Sequence, residues 1–216
     1  MTTFVLIHGG GGSAWDWHLL DAELRGRGHD VVAVDLPVED ESAGLREYAE
    51  TVVEAIGDRR DLVVVAHSWG GFIGPLVCDR VKADLLVMLT AMIPAPGERP
   101  ADWWANTGFG KRDIDDPIGQ FMHDVPAELA AEAMTRSREH TDKAMREPWP
   151  LDRWPDVPTR FLLCRDDRWH EPDFMREVVR ARLGITPDEM DGSHAPMLAR
   201  PKELADRLEG YLTGRS

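Results

Sequence analysis

The sequence is poor in cysteine and in long apolar runs. Its 216 residues include 2 cysteines, Cys78 and Cys164, so no disulfide framework can hold the fold together. No apolar run approaches the roughly 18 residues that a membrane-spanning helix requires. The first residues, MTTFVLIHG, also lack the basic and apolar segments of a secretory leader. We therefore expect a cytoplasmic protein without a membrane partner.

Positive charge is also scarce. Lysine and arginine number 25 against 39 aspartates and glutamates, which gives a formal net charge of −14. Such a chain repels phosphate backbones and anionic membrane surfaces, so the charge argues against nucleic-acid partners and fits a small-molecule substrate. With 43% hydrophobic residues the chain can bury a substantial core, and its length suits one domain over residues 1–216. A homodimer is compatible with these properties.

Short apolar runs typical of strands alternate with amphipathic helical patterns. One helical pattern covers residues 45–56 and ends at Gly57, a second covers residues 172–183 and ends at Gly184, and a last one begins near Pro201. This alternation predicts an α/β fold with a mostly parallel central sheet and helices on both faces. The predicted strands are residues 4–7, 31–34, 62–66, 85–89 and 161–164.

A long segment at residues 94–158 interrupts this alternation. It is rich in proline and tryptophan and holds one predicted helix over residues 127–145. Large apolar side chains on a long insertion need a surface to bury against, so we predict a short helical lid whose aromatic residues line a pocket. The alternative is a surface excursion that simply packs on the domain. The tryptophans of this segment are Trp103, Trp104, Trp149 and Trp154.

The first predicted strand runs into a glycine-rich turn, VLIHGGGGSAWDW. A glycine backbone there can approach a ligand closely and offer unpaired N–H groups. Gly9, Gly11 and Ala14 match the dinucleotide pattern G-x-G-x-x-G/A, and Asp35 stands where a ribose-binding acid is expected. Alternatively, the turn supplies one N–H to an oxyanion hole. A turn without any ligand is the third interpretation.

The third predicted strand ends in a candidate nucleophile. Its sequence, LVVVAHSWGGFIG, places Ser68 in a strand-to-helix turn flanked by small residues, as in a nucleophile elbow. Small residues are needed at Ala66, Gly70 and Gly71 because the strained serine backbone packs tightly against the adjoining strand and helix. Alanine at the first of these positions departs from the full G-x-S-x-G pattern and makes the motif weaker evidence.

A candidate base and two candidate acids follow along the chain. His194, in the turn MDGSHAPML, can accept the serine proton at neutral pH. The strand in TRFLLCRDDRWHEP ends in Asp166 and Asp167, either of which could orient the imidazole. The order serine, aspartate, histidine is the order of an α/β-hydrolase triad. His8 and His67, at strand ends, are predicted to pack or to brace loops.

Together these segments resemble the α/β-hydrolase superfamily. The blocks that carry the resemblance are VLIHGGGGSAWDW, DLP at residues 35–37, AHSWGG, CRDDRWHEP and DGSHAPMLARPKELADRL. More narrowly, the chain is similar to the small esterases and hydroxynitrile lyases akin to plant methyl-salicylate and methyl-jasmonate esterases. The resemblance implies the α/β-hydrolase fold. Because the chain begins at what corresponds to the family's third strand, we expect a sheet of about six strands rather than about eight.

The resemblance also implies the roles of individual residues. It favours Asp167 over Asp166 as the triad acid, because Asp167 precedes the following proline at the family's spacing. It implies that the N–H groups of Gly10 and Trp69 form the oxyanion hole. It further implies that Asp35 belongs to a structural loop and not to a ribose site.

The same comparison favours hydrolysis over cyanohydrin cleavage. The similar lyases carry a threonine after the first strand and a lysine directly after the catalytic histidine, whereas Gly9 and Ala195 stand here. We therefore expect a serine hydrolase that cleaves a small apolar or aromatic carboxylic ester, thioester or lactone through an acyl-enzyme, with no cofactor and no metal. The alternatives are non-hydrolytic chemistry such as C–C cleavage or a lyase reaction, ligand binding, and an NAD(P)-dependent oxidoreductase. The expected substrate-binding residues are Trp103, Trp104, Trp149, Met92 and Met197.

Overall fold

The computed structural model describes residues 1–110 and 113–213. Within them the strands are β1 (Thr3–Ile7), β2 (Asp30–Ala33), β3 (Leu62–His67), β4 (Ala83–Leu89), β5 (Thr159–Cys164) and β6 (Asp188–Met190). They form one sheet in the order β2-β1-β3-β4-β5-β6. Every neighbouring pair is parallel. The predicted α/β fold with a parallel sheet of about six strands is confirmed.

Side chains alternate between two buried cores along the central strands. In β1, Phe4 and Leu6 face one core, Val5 and Ile7 face the other, and all four are 0% exposed. Because both faces of the sheet are covered, its central strands are continuous apolar runs rather than an alternation of apolar and polar residues. Five strands were predicted from these apolar runs. The predicted strand ends differ by no more than two residues from those in the structure.

Helices cover both faces of the sheet. Within the described residues they are α1 (His18–Gly26), α2 (Leu45–Ile56), α3 (Gly74–Arg80), α4 (Trp103–Thr107), α5 (Pro117–Phe121), α6 (Ala127–Thr135), α7 (Asp142–Arg146), α8 (Pro172–Leu183), α9 (Pro196–Ala199) and α10 (Pro201–Thr213). Helices α2, α3 and α8 pack on the core that contains Val5, whereas α1 and α10 pack on the core that contains Phe4. In this part of the chain no helix is long and apolar enough to cross a membrane.

The insertion contains two helices where the sequence predicted one over residues 127–145. Helix α6 ends at Thr135 and α7 begins at Asp142. Between them, the N–H of Arg138 donates to the carbonyl of Gly11 at 3.0 Å, and the N–H of Thr141 donates to the carbonyl of Val38 at 2.9 Å. These amides donate to carbonyls of the loops after β1 and β2 instead of to the preceding helical turn, so the helix cannot continue. The single-helix prediction was therefore wrong.

The carboxyl ends of four strands lie at one edge of the sheet. There β1 leads into the glycine-rich turn, β3 into Ser68, β5 into Asp166 and Asp167, and β6 into the turn that contains His194. In parallel sheets ligands bind at this edge, where the loops extend beyond the strands. The candidate catalytic residues predicted from the sequence therefore lie together at this edge.

Candidate active site

Ser68 occupies a strained turn directly after β3. Its φ of +52° lies in the left-handed region, which non-glycine residues rarely adopt. The turn is close-packed: an ideal Cβ at Gly70 would lie 2.6 Å from the His8 carbonyl oxygen, and one at Gly71 would overlap the carbonyl oxygen of Met92. The glycines after the serine are therefore required by the approach of neighbouring backbone, as the sequence predicted.

His194 connects Ser68 to Asp167 by two short hydrogen bonds. Its Nε2 lies 2.8 Å from Oγ of Ser68, and its Nδ1 lies 2.7 Å from Oδ2 of Asp167. The His194 side chain is 5% exposed and the Asp167 side chain 0%, so water barely competes for their hydrogen bond. A nucleophile, a base and an orienting acid in this sequence of contacts can activate a hydroxyl group.

Asp167 is fixed as an anion by donors from three directions. Its Oδ1 accepts the backbone N–H groups of Trp169 and His170 at 2.8 and 2.9 Å. Its Oδ2 accepts the hydroxyl of Thr90 at 2.6 Å in addition to facing His194. Burial alone would raise the pKa of Asp167, but the interactions with His194 and the other hydrogen bonds outweigh burial and lower the pKa to about 2.

Asp166 points elsewhere. Its Oδ2 accepts the N–H of Gly192 at 3.0 Å, and its backbone carbonyl accepts from Nε2 of His123 at 2.8 Å. Asp166 thus holds the loop after β6 together, whereas its neighbour Asp167 reaches the histidine. Of the two acids that the residues alone left open, Asp167 is the one whose carboxylate contacts His194.

Two residues beside Asp167 and His194, Thr90 and His170, were not predicted from the sequence. Thr90 directly follows β4, has a φ of +39°, and is fully buried. His170, also fully buried, places Nδ1 2.9 Å from the Thr90 carbonyl, and its ring centroid lies 4.9 Å from that of His194. The available signals were weak: a threonine after an apolar strand, and a histidine three residues after an acid.

His67 and His8 brace loops, as predicted. Nε2 of His67 lies 2.8 Å from the carbonyl of His194. Burial lowers the pKa of His67 to about 3, so its ring is neutral near pH 7, and Nε2 carries the hydrogen because a carbonyl oxygen can only accept. Similarly, His8 donates from Nδ1 to the Gly9 carbonyl and accepts the N–H of Leu36 at Nε2.

The glycine-rich turn packs against the serine turn. An ideal Cβ at Gly9 would lie 2.9 Å from Cβ of Ser68, and one at Gly10 would lie 3.6 Å from Cβ of Trp69. Only a glycine at position 9 lets the two turns approach this closely. Gly10 and Trp69, the residues expected to form an oxyanion hole, are consequently neighbours across the mouth of the site.

The dinucleotide alternative does not fit this turn. Oδ1 of Asp35 accepts the N–H of Ala14 at 2.8 Å, so the acid caps the chain after the glycines. The space beside Gly11 is taken by the insertion, because an ideal Cβ there would lie 3.4 Å from Oγ of Ser137. The insertion therefore packs beside the glycine-rich turn, and Asp35 caps the backbone of that turn as part of a structural loop, as the resemblance implied.

A cavity of about 360 Å³ opens above Ser68 and His194. Its walls come from the glycine-rich turn, from the insertion and from the start of α9. The lining residues are Gly10, Gly11, Gly12, Asp16, His67, Ser68, Ile114, Pro117, Phe121, Met122, Ala133, Met134, Ser137, His194, Ala195, Met197 and Leu198. Apolar side chains dominate, so the cavity suits an apolar ligand.

The expected tryptophan lining needs correction. Met197 lines the cavity, but the other expected substrate-binding residues, Trp103, Trp104, Trp149 and Met92, do not. Trp103 donates its indole N–H to the carbonyl of Ile93 at 2.9 Å, and Trp149 donates to that of Phe72 at 3.0 Å. With the indole N–H satisfied by backbone and the ring in the core, these large side chains anchor the insertion instead of facing its cavity.

Asp167, His170 and His194 also form a cluster in which the candidate metal-ligating atoms lie within 4.8 Å of one another. Several of the polar atoms of these residues take part in hydrogen bonds within the protein. Oδ2 of Asp167 faces His194 and the Thr90 hydroxyl, and Nδ1 of His170 faces the Thr90 carbonyl. This bonding pattern fits an acid–base triad better than a metal site.

Residues 4–207 match the alpha/beta hydrolase family. The chain belongs to that family. This hydrolase is similar to Methylesterase 7 of Arabidopsis thaliana, with 27% identity over 95% of the chain and 94% of that protein. It is also similar to Norfluorocurarine synthase 2 of Strychnos sp, with 30% identity over 95% of the chain and 93% of that protein. The crystal structure of polyneuridine aldehyde esterase superposes with a TM-score of 0.83 at 22% identity, covering 98% of this chain and 99% of that one.

The predicted family and the predicted hydrolase class are thereby confirmed. The structural likeness, at 22% identity, supports the fold alone. The bond that is cleaved and the role of each residue have to be inferred from the chemistry of the site.

Proposed function

We propose that this α/β hydrolase is a serine esterase that uses Ser68 as nucleophile, His194 as general base and acid, and Asp167 to orient the histidine. The observation that carries the proposal is the unbroken hydrogen-bonded path from Ser68 through His194 to Asp167 at the base of an apolar cavity. A serine hydroxyl needs such a base to become nucleophilic at neutral pH.

The reaction proceeds in two halves. Nε2 of His194 accepts the Ser68 proton while Oγ attacks the ester carbonyl, and the N–H groups of Gly10 and Trp69 stabilise the negative oxygen of the tetrahedral intermediate. The imidazolium then gives its proton to the leaving alcohol, and the acyl-enzyme remains. A water molecule, deprotonated by the same histidine, attacks the acyl-enzyme and releases the acid. The buried anion of Asp167 stabilises the imidazolium in both halves.

The substrate class is inferred from the cavity walls. Phe121, Met122 and Leu198 line a volume of about 360 Å³, which suits a small ester with an apolar or aromatic group. No lysine or arginine lines the cavity in the described part of the chain, and Ala195 follows His194, so no cation receives an anionic leaving group such as cyanide. The name of the Arabidopsis relative, a methylesterase, supports testing methyl esters first.

Turnover of a panel of methyl and phenyl esters tests this function. We expect Ser68→Ala and His194→Ala each to lower kcat/KM by at least about 10⁴-fold. Ser42→Ala, at an exposed loop serine whose hydroxyl contacts Asp40, is the matched control and should leave turnover unchanged. Hydrolysis of any panel ester that survives Ser68→Ala would contradict the proposed mechanism.

We also propose that the protein acts in the cytoplasm on a small molecule. Cys78 and Cys164 are both free thiols, which suits a reducing compartment. Cell fractionation with a compartment marker tests the location, and recovery with a secreted fraction would contradict it. A homodimer stays a prediction that sedimentation can test.

A further inference from the structure

One acidic residue, Asp16, lines the mostly apolar cavity. Asp16 is the only acidic residue among those that line the cavity, and no lysine or arginine in the described residues stands opposite it there. It belongs to the short 3₁₀ turn Ala14–Trp17, which follows the glycine-rich turn. Asp16 is thus placed on the same wall as Gly10 and within the same cavity as Ser68.

The local fold uses only part of this side chain. Oδ2 of Asp16 accepts the N–H of Ser13 at 3.1 Å, which closes a capping box with the Ser13 hydroxyl. The carboxylate lies so close to Gly12 that a Cβ there would overlap Oδ2. An amide oxygen could also accept the Ser13 N–H, and the helix dipole adds some preference for an anion at this position, so the cap accounts for the carboxylate only in part.

No lysine or arginine of the described residues forms an ion pair with Asp16. The nearby His18 ring favours the ionised carboxylate, and the Asp35 carboxylate disfavours it. Burial is the main reason that the pKa of Asp16 rises to about 6, and near pH 7.5 the group is still mostly ionised. A partly buried anion without a cationic partner favours any ligand that supplies one.

We propose that Asp16 is a specificity-determining residue that binds a protonated amine of the ester substrate. This inference rests on the proposed esterase function. The substrate class then becomes a small apolar ester with a basic nitrogen a few bonds from the carbonyl, with the apolar part against Phe121 and Met122 and the nitrogen toward Asp16. Carboxylate-bearing esters are disfavoured by the same charge.

Two pairs of isosteric esters test the proposal without knowledge of the natural substrate. 2-(Dimethylamino)ethyl butanoate is compared with 3-methylbutyl butanoate, which places the nitrogen on the alcohol side. Methyl 4-(dimethylamino)butanoate is compared with methyl 5-methylhexanoate, which places it on the acyl side. Within each pair the two esters differ in charge and hardly in shape. Rates are measured at pH 7.5 with wild type, Asp16→Asn and Asp35→Asn.

For at least one pair, we expect wild type to prefer the amine in kcat/KM by about tenfold or more, mainly through KM. Asp16→Asn retains an oxygen for the Ser13 N–H and should abolish the preference, so that the ratio of kcat/KM for the amine ester to that for its neutral partner falls to about one. Asp35→Asn removes the same charge from an exposed carboxylate that also caps a backbone N–H, and should keep most of the preference.

The outcomes separate this inference from the function on which it rests. Failure to hydrolyse the neutral esters would overturn the esterase function. Hydrolysis of neutral and amine esters at equal rates, or an amine preference that survives Asp16→Asn, would overturn the role of Asp16. A loss of both activities in Asp16→Asn together with a lower Tm would assign Asp16 to the capping box alone and also overturn it.

Discussion

The residues around Asp167 determine how firmly the triad is held. Thr90 donates its hydroxyl to Oδ2, and His170 contributes its backbone N–H to Oδ1 while its ring contacts the Thr90 carbonyl. The sequence motifs predicted that Ser68, Asp167 and His194 come together, because strand ends and family spacing mark them. They did not predict Thr90, because its contact with Asp167 joins residues 77 positions apart and leaves no local pattern.

Replacing Thr90 by valine should impair turnover more than binding. Valine has nearly the same shape but leaves Oδ2 of Asp167 without its hydroxyl donor, so the anion is less well oriented toward His194. We expect kcat to fall by about 10-fold to 100-fold with little change in KM. Thr90→Ser restores the hydroxyl and is the rescue control; equal losses in the two variants would mean that Thr90 acts only through packing.

Asp16 also gives a prediction for stability against pH. Its pKa is about 6 in the folded protein, raised chiefly by burial from an ordinary value of 3.8. The folded state therefore holds this proton more tightly than the unfolded state, and stability decreases as pH rises from about 3.8 to about 6. Asp16→Asn should raise Tm by about 2–6 °C at pH 8 and by almost nothing at pH 4. An equal change at both pH values would contradict the raised pKa.

At the scale of elements, the strands and the long helices were predictable and the insertion was not. Helices α2, α8 and α10 were predicted from the spacing of their apolar residues and from the proline or glycine residues near their ends. Both signals lie within short stretches of sequence. The segment between α6 and α7 is instead shaped by the hydrogen bonds of Arg138 and Thr141 to distant backbone. Such tertiary contacts override helical propensity and cannot be read from local pattern.

The close packing of the turn at Ser68 predicts that Gly71 cannot be replaced by a larger residue without loss of stability. A methyl group at Gly71 would overlap the Met92 carbonyl, so Gly71→Ala should destabilise the fold by about 1–3 kcal/mol or more and shift Ser68. Gly210 in α10 has no heavy atom within 4 Å of an added Cβ, and Gly210→Ala should stabilise by about 0.5–1 kcal/mol. Urea denaturation measures both variants; equal effects would refute the packing account of the serine turn.

At the scale of the whole molecule, the active site lies between the sheet edge and the insertion. The sequence predicted which strand ends and turns carry Ser68, Asp167 and His194, because motifs mark these residues. It predicted the wrong insertion residues for the cavity, because tryptophan size suggested a lining role. In the structure Trp103 and Trp149 are in the core, while smaller apolar side chains such as Phe121 and Met134 face the cavity.

This division predicts two separable kinds of variant. Phe121 lines the cavity with its ring centroid 5.5 Å from that of His194, so Phe121→Ala should raise KM for apolar esters severalfold with little change in stability. Trp149→Phe removes the hydrogen bond to the buried Phe72 carbonyl and should lower stability by about 1–3 kcal/mol with KM unchanged. A KM effect confined to Trp149→Phe would restore the tryptophan-lined pocket that the sequence suggested.

The central claim is that Ser68 is activated by His194, and a fluorophosphonate tests it directly, whatever the natural substrate. The protein is incubated with the probe, its intact mass is followed over time, and the adduct is located by peptide mapping. We expect a single adduct on Ser68 in the wild type and essentially none in His194→Ala over the same period. No adduct, or equal labelling of the wild type and His194→Ala, would contradict the account.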